Sequence, residues 1–362
     1  MDIRIITYVL ILLSGLLLTI IGDRNKAFNA RKYLIIFGCI ILAAVSGLRG
    51  LSVGPDTPNY FKWFEQIKSI SWSDVFNNFY LTYIAGIERD PGYSLFVKAF
   101  QVLSHSWQLF LITIAVFYYS ALGVFLYKNT RSIIDVVFAF VLYIALFQIV
   151  ALSGIRQQIA ISLVFIALNY IKSKEMFKFI LIILVASQFH ISALVMIPFG
   201  LAVYLPGKAT RYLYYIAIGL IPLVIMFGRS IVALLAGFLN NDYYSAYATS
   251  ENSAGAFTYI FLSIAVSIAG LFTIKRQLIW RNNKIYYTAI AFMTFFVPLI
   301  MIDGTLIRLG QYFSLYMMIF IPRIIKSLNM EYGQKLAVSY VLIFLLIFLS
   351  LRSPFMYYFF WQ

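Results

Sequence analysis

The chain has 362 residues, of which 62% are hydrophobic and only 11% charged, and it carries a net charge of +15. Apolar runs of membrane-spanning length recur throughout, which places it among polytopic membrane proteins. The basic residues form short clusters between those runs, with no contiguous basic domain, so nucleic-acid binding is excluded as the meaning of the charge.

The first apolar stretch, Ile3 to Ile21, is too long for a signal-peptide core and leads into Arg24, Lys26, Arg31 and Lys32, so it reads as a retained helix. Further spans are expected near 33–51, 107–127, 133–151, 156–171, 177–189, 191–205, 212–228, 256–274, 285–302, 308–325 and 336–352. The expected fold is therefore all-α, a polytopic bundle of about twelve transmembrane helices forming one integral membrane domain over 1–362. Residues 177–205 are short for two crossings. Two short helices meeting around Ser187 to Ser192 is the preferred solution and a re-entrant hairpin the alternative; either way the apex lines protein or a cavity. Cys39, the single cysteine, lies inside an apolar run, which rules out an intramolecular disulfide and a cysteine metal site.

Two longer polar connections break the apolar pattern. Residues 52–106 carry Trp63, Trp72 and many Tyr and Phe, and Phe61, Phe64 and Ile67 share helical spacing, so an ordered interfacial cap is expected. Residues 229–255 contain Asn240-Asn241-Asp242-Tyr243-Tyr244 and Tyr247, a mixture of amide, carboxylate and ring suited to sugars.

Orientation follows from the short basic loops, which are retained on the cytoplasmic side. The inner segments are 22–32, 128–132, 172–178, 206–211, 275–284 and 323–335. Together with Asp135 they give eighteen basic against four acidic residues inside and ten against nine outside, or +14 and +1. Both termini then lie outside. So do five arginines beside apolar segments: Arg49, Arg89, Arg156, Arg229 and Arg308. Arginine is costly near lipid, and several at one face suggest an anionic ligand. The plainer reading, a snorkelling anchor, fits Arg229 and Arg352.

Reactive groups on that outer face fall in four short motifs. In Arg49-Gly50-Leu51-Ser52-Val53-Gly54-Pro55-Asp56-Thr57-Pro58-Asn59-Tyr60 a Gly/Pro turn presents a carboxylate, a hydroxyl and a phenol, although Asp56 also suits a helix cap. In Glu88-Arg89-Asp90-Pro91-Gly92-Tyr93 two carboxylates flank an arginine, and one of them can serve as a general base; Asp90-Pro91-Gly92 is also a turn signal. In Gly154-Ile155-Arg156-Gln157-Gln158 a guanidinium and two amides open a helix, an arrangement suited to pyrophosphate. Gln188-Phe189-His190-Ile191-Ser192 puts an imidazole at the expected apex, where helix packing is the bland alternative. His105 reads as interfacial. P-loop, GxGxxG, HExxH and GxSxG signatures are missing, and two histidines do not make a histidine-rich metal centre.

Taken in order, Arg49 with Gly54, Asp56, Thr57 and Tyr60, then Glu88 with Gly92-Tyr93, then Ile155-Arg156-Gln157 with Ile159-Ala160, then Phe189-His190 with Ser192-Ala193, resemble the EpsG-like members of the Wzy-type bacterial exopolysaccharide polymerases. The motifs cover residues 49–193. The resemblance implies a metal-independent glycosyltransferase, without cofactor, that joins undecaprenyl-pyrophosphate-linked oligosaccharide repeat units at the outer face of the plasma membrane. It also implies the lipid bilayer and chain-length regulator or flippase proteins of the same pathway as partners. Glu88, His190 and Asp56 become catalytic candidates, with Arg49, Arg156, Arg308, Arg89, Gln157, Tyr60 and Tyr93 as pyrophosphate or substrate contacts. Competing readings are a flippase for the same lipid-linked oligosaccharide, an O-antigen-ligase-like transferase with another acceptor, and a membrane acyltransferase. Charges at outer helix ends rather than the midplane weigh against the first, and the absence of a cytoplasmic histidine weighs against the last.

Overall fold

The computed structural model describes residues 2–24, 29–239, 257–275 and 277–362. The Asn240–Tyr247 segment expected to suit sugars lies outside the described residues.

Every described element is helical apart from one isolated bridge. The chain opens with α1 (Ile3–Arg24), α2 (Ala30–Gly47) and α3 (Thr57–Gln66), followed by α4 (Trp72–Tyr83), α5 (Pro91–Leu103) and α6 (Trp107–Asn129). Next come α7 (Ile133–Leu146), α8 (Gln148–Ser153), α9 (Ile155–Lys172), α10 (Met176–Ser187), α11 (Met196–Val203), α12 (Gly207–Gly219) and α13 (Ile221–Leu239). The last are α14 (Phe257–Ile274), α15 (Gln277–Phe296), α16 (Ile307–Ser314), α17 (Met317–Ser327) and α18 (Tyr332–Leu351). Residues 52–106, expected to be ordered, contain the helices α3 to α5, with Phe64 and Ile67 fully buried.

Among the described residues six helices are long and apolar enough to cross a membrane: Ile3–Gly22, Ala30–Gly47, Trp107–Asn129, Phe257–Ile274, Lys284–Met301 and Tyr332–Leu351. The bent pair α12 and α13, 75° apart, makes a seventh if it counts as one span. These six or seven are fewer than the twelve expected, because several apolar runs are broken. The run at 133–151 divides at Phe147 and the run at 308–325 divides after Ser314, and neither piece reaches spanning length.

Two compact units result. One contains 1–70, 96–166 and 328–362; the other contains 71–95 and 167–327.

In the first unit α2 runs beside α6 and is tied to it at both ends. The Arg31 guanidinium donates to the carbonyls of Tyr127 (2.8 Å) and Thr130 (3.0 Å) at the end of α6 and sits 4.6 Å from the centre of the Tyr127 ring. At the opposite end the Gln108 amide donates to the Gly47 carbonyl. Both bonds occupy carbonyls that a helix terminus leaves open. Helix starts are closed by side chains as well: Ser132 and Asp135 form a reciprocal capping box on α7, and Glu331 and Gln334 form one on α18.

A clamp joins the start of α1 to the end of α18. Arg4, 2% exposed, pairs with Asp2 at 2.6 Å and donates to the carbonyls of Ser350 (2.6 Å) and Ser353 (2.5 Å), while Phe355 donates its amide to Asp2. The C-terminal segment then crosses the end of α2: Gly50 donates to the Tyr358 carbonyl at 2.8 Å and Phe360 to that of Leu48 at 3.0 Å. Ile3, Val45, Val53, Leu152 and Tyr357 pack beneath this crossing.

The second unit is held by buried hydroxyls and rings. Tyr214 donates to the Ser267 carbonyl at 2.6 Å, and Ser267 and Thr294 hydroxyls meet at 2.6 Å. Phe199, Phe292, Phe296 and Phe313 form a ring cluster. Interhelical hydrogen bonds of this kind are worth about 0.6 kcal/mol each in a membrane, rising to about 2 at best, so the rings and hydroxyls act together.

Gly54 fixes the turn before α3. Its φ of +86° is left-handed, and a Cβ there would lie 2.8 Å from the Leu152 carbonyl oxygen. Gly54→Ala is expected to destabilise the protein by on the order of 2–4 kcal/mol, read as a lower Tm and loss of monodispersity in detergent. The Asp2 carboxyl gives a pH test. Burial alone would raise its pKa, but the Arg4 guanidinium and the Arg4 and Phe355 amides outweigh that and hold it below the ordinary value of 3.8. A depressed carboxylate contributes stability that is present above its unfolded pKa and lost as pH falls through the folded one. The Tm gap between wild type and Asp2→Asn should therefore be full near neutrality and close only below about pH 4, as measured by thermal scans at graded pH.

Candidate functional site

The four motifs pair off, two in each unit. In the first unit the turn 50–57 packs on α8, with Gly54 against the Leu152 carbonyl and Val53 buried beside Leu152. The Thr57 hydroxyl donates back to the Val53 carbonyl at 2.7 Å, which closes the turn and starts α3. That helix brings the Tyr60 ring under Arg156, whose guanidinium carbon lies 5.6 Å from the ring centre. Arg156 occupies the first turn of α9, immediately after the break at Gly154. Gln157 and Gln158 follow it, each 2% exposed. A guanidinium on an aromatic face at a helix N-terminus, with amides behind it, presents donors to an anion.

Arg49 belongs to the same unit but sits differently. It is 1% exposed and its guanidinium donates to the Ser46 carbonyl near the end of α2, where a cation suits the helix dipole. It also acts on Tyr357: burial pushes that phenol's pKa up, and the Arg49 charge pulls it part of the way back. Asp56 takes the N-cap position of α3 without a side-chain cap hydrogen bond, so the cap reading of its carboxylate does not describe it.

In the second unit the 88–93 motif repairs the helix break at 188–190. Gly92 donates its amide to the Gln188 carbonyl at 3.0 Å, and the Asp90 carboxylate accepts from the Ile191 amide at 3.2 Å. Asp90 is 7% exposed with φ +52°, a left-handed geometry that Asp tolerates better than most residues. A Cβ on Gly92 would fall 2.5 Å from that of Gln188, so the close approach requires glycine. The Tyr83 hydroxyl donates to the Gln188 side chain at 2.8 Å. Burial raises the Tyr83 pKa and the Asp90 charge adds to the rise, while the Gln188 bond opposes it.

Beyond the break, the Ser192 hydroxyl lies 2.6 Å from His190 Nδ1 and 3.1 Å from the hydroxyl of Tyr312. Tyr312, 2% exposed, feels the charges of both Asp90 and Arg308. The unit thus assembles imidazole, hydroxyl, phenol, carboxylate and guanidinium around one broken helix. Tyr93 is fully buried, Arg89 and Arg308 are half-buried, and Glu88 is exposed. Arg229 is exposed on α13.

The sequence matches a known family. A family model described as the EpsG family matches residues 32–361. The chain belongs to the EpsG family. That family is linked to exopolysaccharide biosynthesis, and this member is a polytopic helical membrane protein. No curated protein and no solved structure matches it.

Sequence reasoning did not single out Tyr312, Tyr83 or Gln148. Tyr312 stands four residues after Arg308 on the same helix face, a spacing that offered a signal. Gln148 follows the break at Phe147; it is 1% exposed, and neither amide atom meets a partner among the described residues.

The Asp90 contact yields a stability test. Asp90→Ala removes the acceptor of the Ile191 amide and places alanine at positive φ, so a loss of about 1–3 kcal/mol is expected. Asp90→Asn keeps an oxygen in place and should cost about 1 kcal/mol or less. Thermal unfolding of both variants in detergent compares them.

Proposed function

We propose that this EpsG-family member is a polysaccharide polymerase of the Wzy type. It acts at the outer face of the bacterial plasma membrane on oligosaccharide repeat units carried by undecaprenyl pyrophosphate. An acceptor sugar hydroxyl attacks the anomeric carbon of the donor chain and the bond from that carbon to the pyrophosphate oxygen breaks. The electron pair leaves with the lipid pyrophosphate, and the hydroxyl proton passes to a base.

The observation that carries this reading is the seating of Arg156 on Tyr60 at the start of α9, with Gln157 beside it. Fixed guanidinium and amide donors neutralise charge as it grows on a departing pyrophosphate, an electrostatic contribution on the order of 3–4 kcal/mol per donor in comparable sites. Arg308, Arg89 and Arg49 are further candidates for the anion, with Arg49 the least accessible because it is buried against α2. Tyr60 and Tyr93 are candidate substrate contacts. Proton removal falls to Glu88, His190 or Asp56.

The topology proposed with this function has about twelve crossings and both termini outside, with the shorter apolar helices such as Ile133–Leu146, Met176–Ser187 and Ile191–Val203 completing the count. The clamp of Asp2 and Arg4 on Ser350 and Ser353, and the crossing of residues 358–360 over Leu48 and Gly50, support it by putting three helix ends together. Bilayer lipid and chain-length regulator or flippase proteins are the proposed partners.

Reconstitution with purified undecaprenyl-pyrophosphate repeat units, followed by gel analysis of chain length, tests the activity. Lengthened chains are expected; unlengthened chains with lipid-linked sugar moving between leaflets would identify a flippase instead. Arg156→Lys should lower polymer output by about 10- to 100-fold at unchanged protein level, because lysine cannot reproduce planar two-pronged donation.

A further inference from the structure

We propose that the groove between α2 and α6 binds an anionic phospholipid, with one acyl chain lying along the groove and the phosphate at its Lys32 end. The assignment does not rest on the polymerase reading.

The groove has a volume of 410 Å³ and belongs to the first unit. Each helix lines it with one stripe at spacings of three and four residues, beginning at Lys32 and ending at Ala43 on α2, and beginning at Val116 and ending at Tyr127 on α6. Small residues give it depth. Cys39 and Ala43 line it from one helix and Ser120 and Gly123 from the other, and a Cβ on Gly123 would lie 3.1 Å from the Cys39 sulfur. Ile36, Ile40, Val116 and Val124 line it too and are exposed, so its mouth is apolar. A trough of this composition takes hydrocarbon in preference to sugar.

Length and charge decide which hydrocarbon. The two ends lie eleven residues apart on either helix, about 16 Å at a rise of about 1.5 Å per residue. That is roughly half of the ~30 Å hydrocarbon core, the depth of a single leaflet. At one end stand the exposed Lys32 and Tyr127, with the Arg31 guanidinium 4.6 Å from the centre of the Tyr127 ring. Lys128 and Arg131 follow Tyr127 in the chain. Within 29–47 and 107–135 these four cations are accompanied by a single carboxylate, Asp135, which accepts from the amides of Arg131 at 3.0 Å and Ser132 at 3.1 Å. A basic end on a pocket between membrane helices attracts anionic headgroups. Arg31 is committed to the carbonyls of Tyr127 and Thr130, so Lys32 is the residue placed to donate to a phosphate. In the proposed topology this is the cytoplasmic leaflet, at the far end of α2 from Arg49.

The test uses full-length protein in nanodiscs that contain phosphatidylglycerol carrying a photoactivatable diazirine midway along one acyl chain, with adducts mapped by peptide mass spectrometry. Adducts are expected within 35–43 and 116–124, suppressed by unlabelled phosphatidylglycerol and not by phosphatidylcholine. Lys32 and Ser120 are both exposed, so substitution there leaves the packed helix faces intact. Lys32→Gln should lower the advantage of phosphatidylglycerol over phosphatidylcholine about fivefold. Ser120→Phe, which fills the trough, should remove the adducts. Equal competition by phosphatidylcholine, or adducts spread over other helices without enrichment here, overturns the proposal. So does disulfide pairing of two copies through Cys39, the sole cysteine, under oxidant, which would make the groove a packing surface for a second copy.

Discussion

Backbone amides and carbonyls inside an apolar membrane protein must find partners, and a helix that breaks there has to be repaired from elsewhere in the chain. Of the breaks at Gly154 and at 188–190, the first is packed over by another segment and the second is repaired by hydrogen bonds. At the first, the turn with Gly54 packs against the Leu152 carbonyl. At the second, Gly92 and Asp90 supply the donor and the acceptor that helical continuation would have provided. The residues that do the repairing are themselves motif residues. Chemistry-bearing side chains sit at these points because a broken helix exposes terminal groups and turns side chains away from the packed face.

This explains why glycine, proline and aspartate recur beside the arginines and the histidine. Gly54 and Gly92 permit close backbone approach, and Asp90 accepts a left-handed geometry while its carboxylate accepts an amide. The arginines also divide by where they stand: Arg4, Arg31 and Arg49 donate to carbonyls at helix ends, whereas Arg156 opens a helix over the Tyr60 ring and Arg308 acts on the buried Tyr312.

Hydropathy made the helical class readable, and the boundaries of Ile3–Arg24, Trp107–Asn129 and Phe257–Ile274 lie within a few residues of the apolar runs. The helical order within 52–106 was also legible, since Phe64 and Ile67 recur at helical spacing. The break at Phe147 was not, because Tyr143-Ile144-Ala145-Leu146-Phe147-Gln148 carries no glycine or proline. Nor was the pairing of motifs legible. Asp90 reaches Ile191 across 101 residues and Tyr312 reaches Ser192 across 120, and no local pattern records contacts of that range. The setting of Arg49 at the end of its own helix was not legible either, for a related reason. A guanidinium that serves its own helix end looks the same in sequence as one aimed at a ligand.

The crossing of residues 358–360 over Leu48 and Gly50 imposes an order on biogenesis. The unit that holds Arg49 and Arg156 draws on three separate stretches of chain, and the last of them leaves the ribosome long after the first helices have entered the bilayer. Until Tyr357 reaches Val45 and Tyr358 accepts from Gly50, the end of α2 has the contacts from Gln108 and Arg49 but lacks those of the final segment. Membrane insertion of the first helices and completion of the contacts around the end of α2 are thus separate events for this protein, the second waiting on the synthesis of residues 357–360.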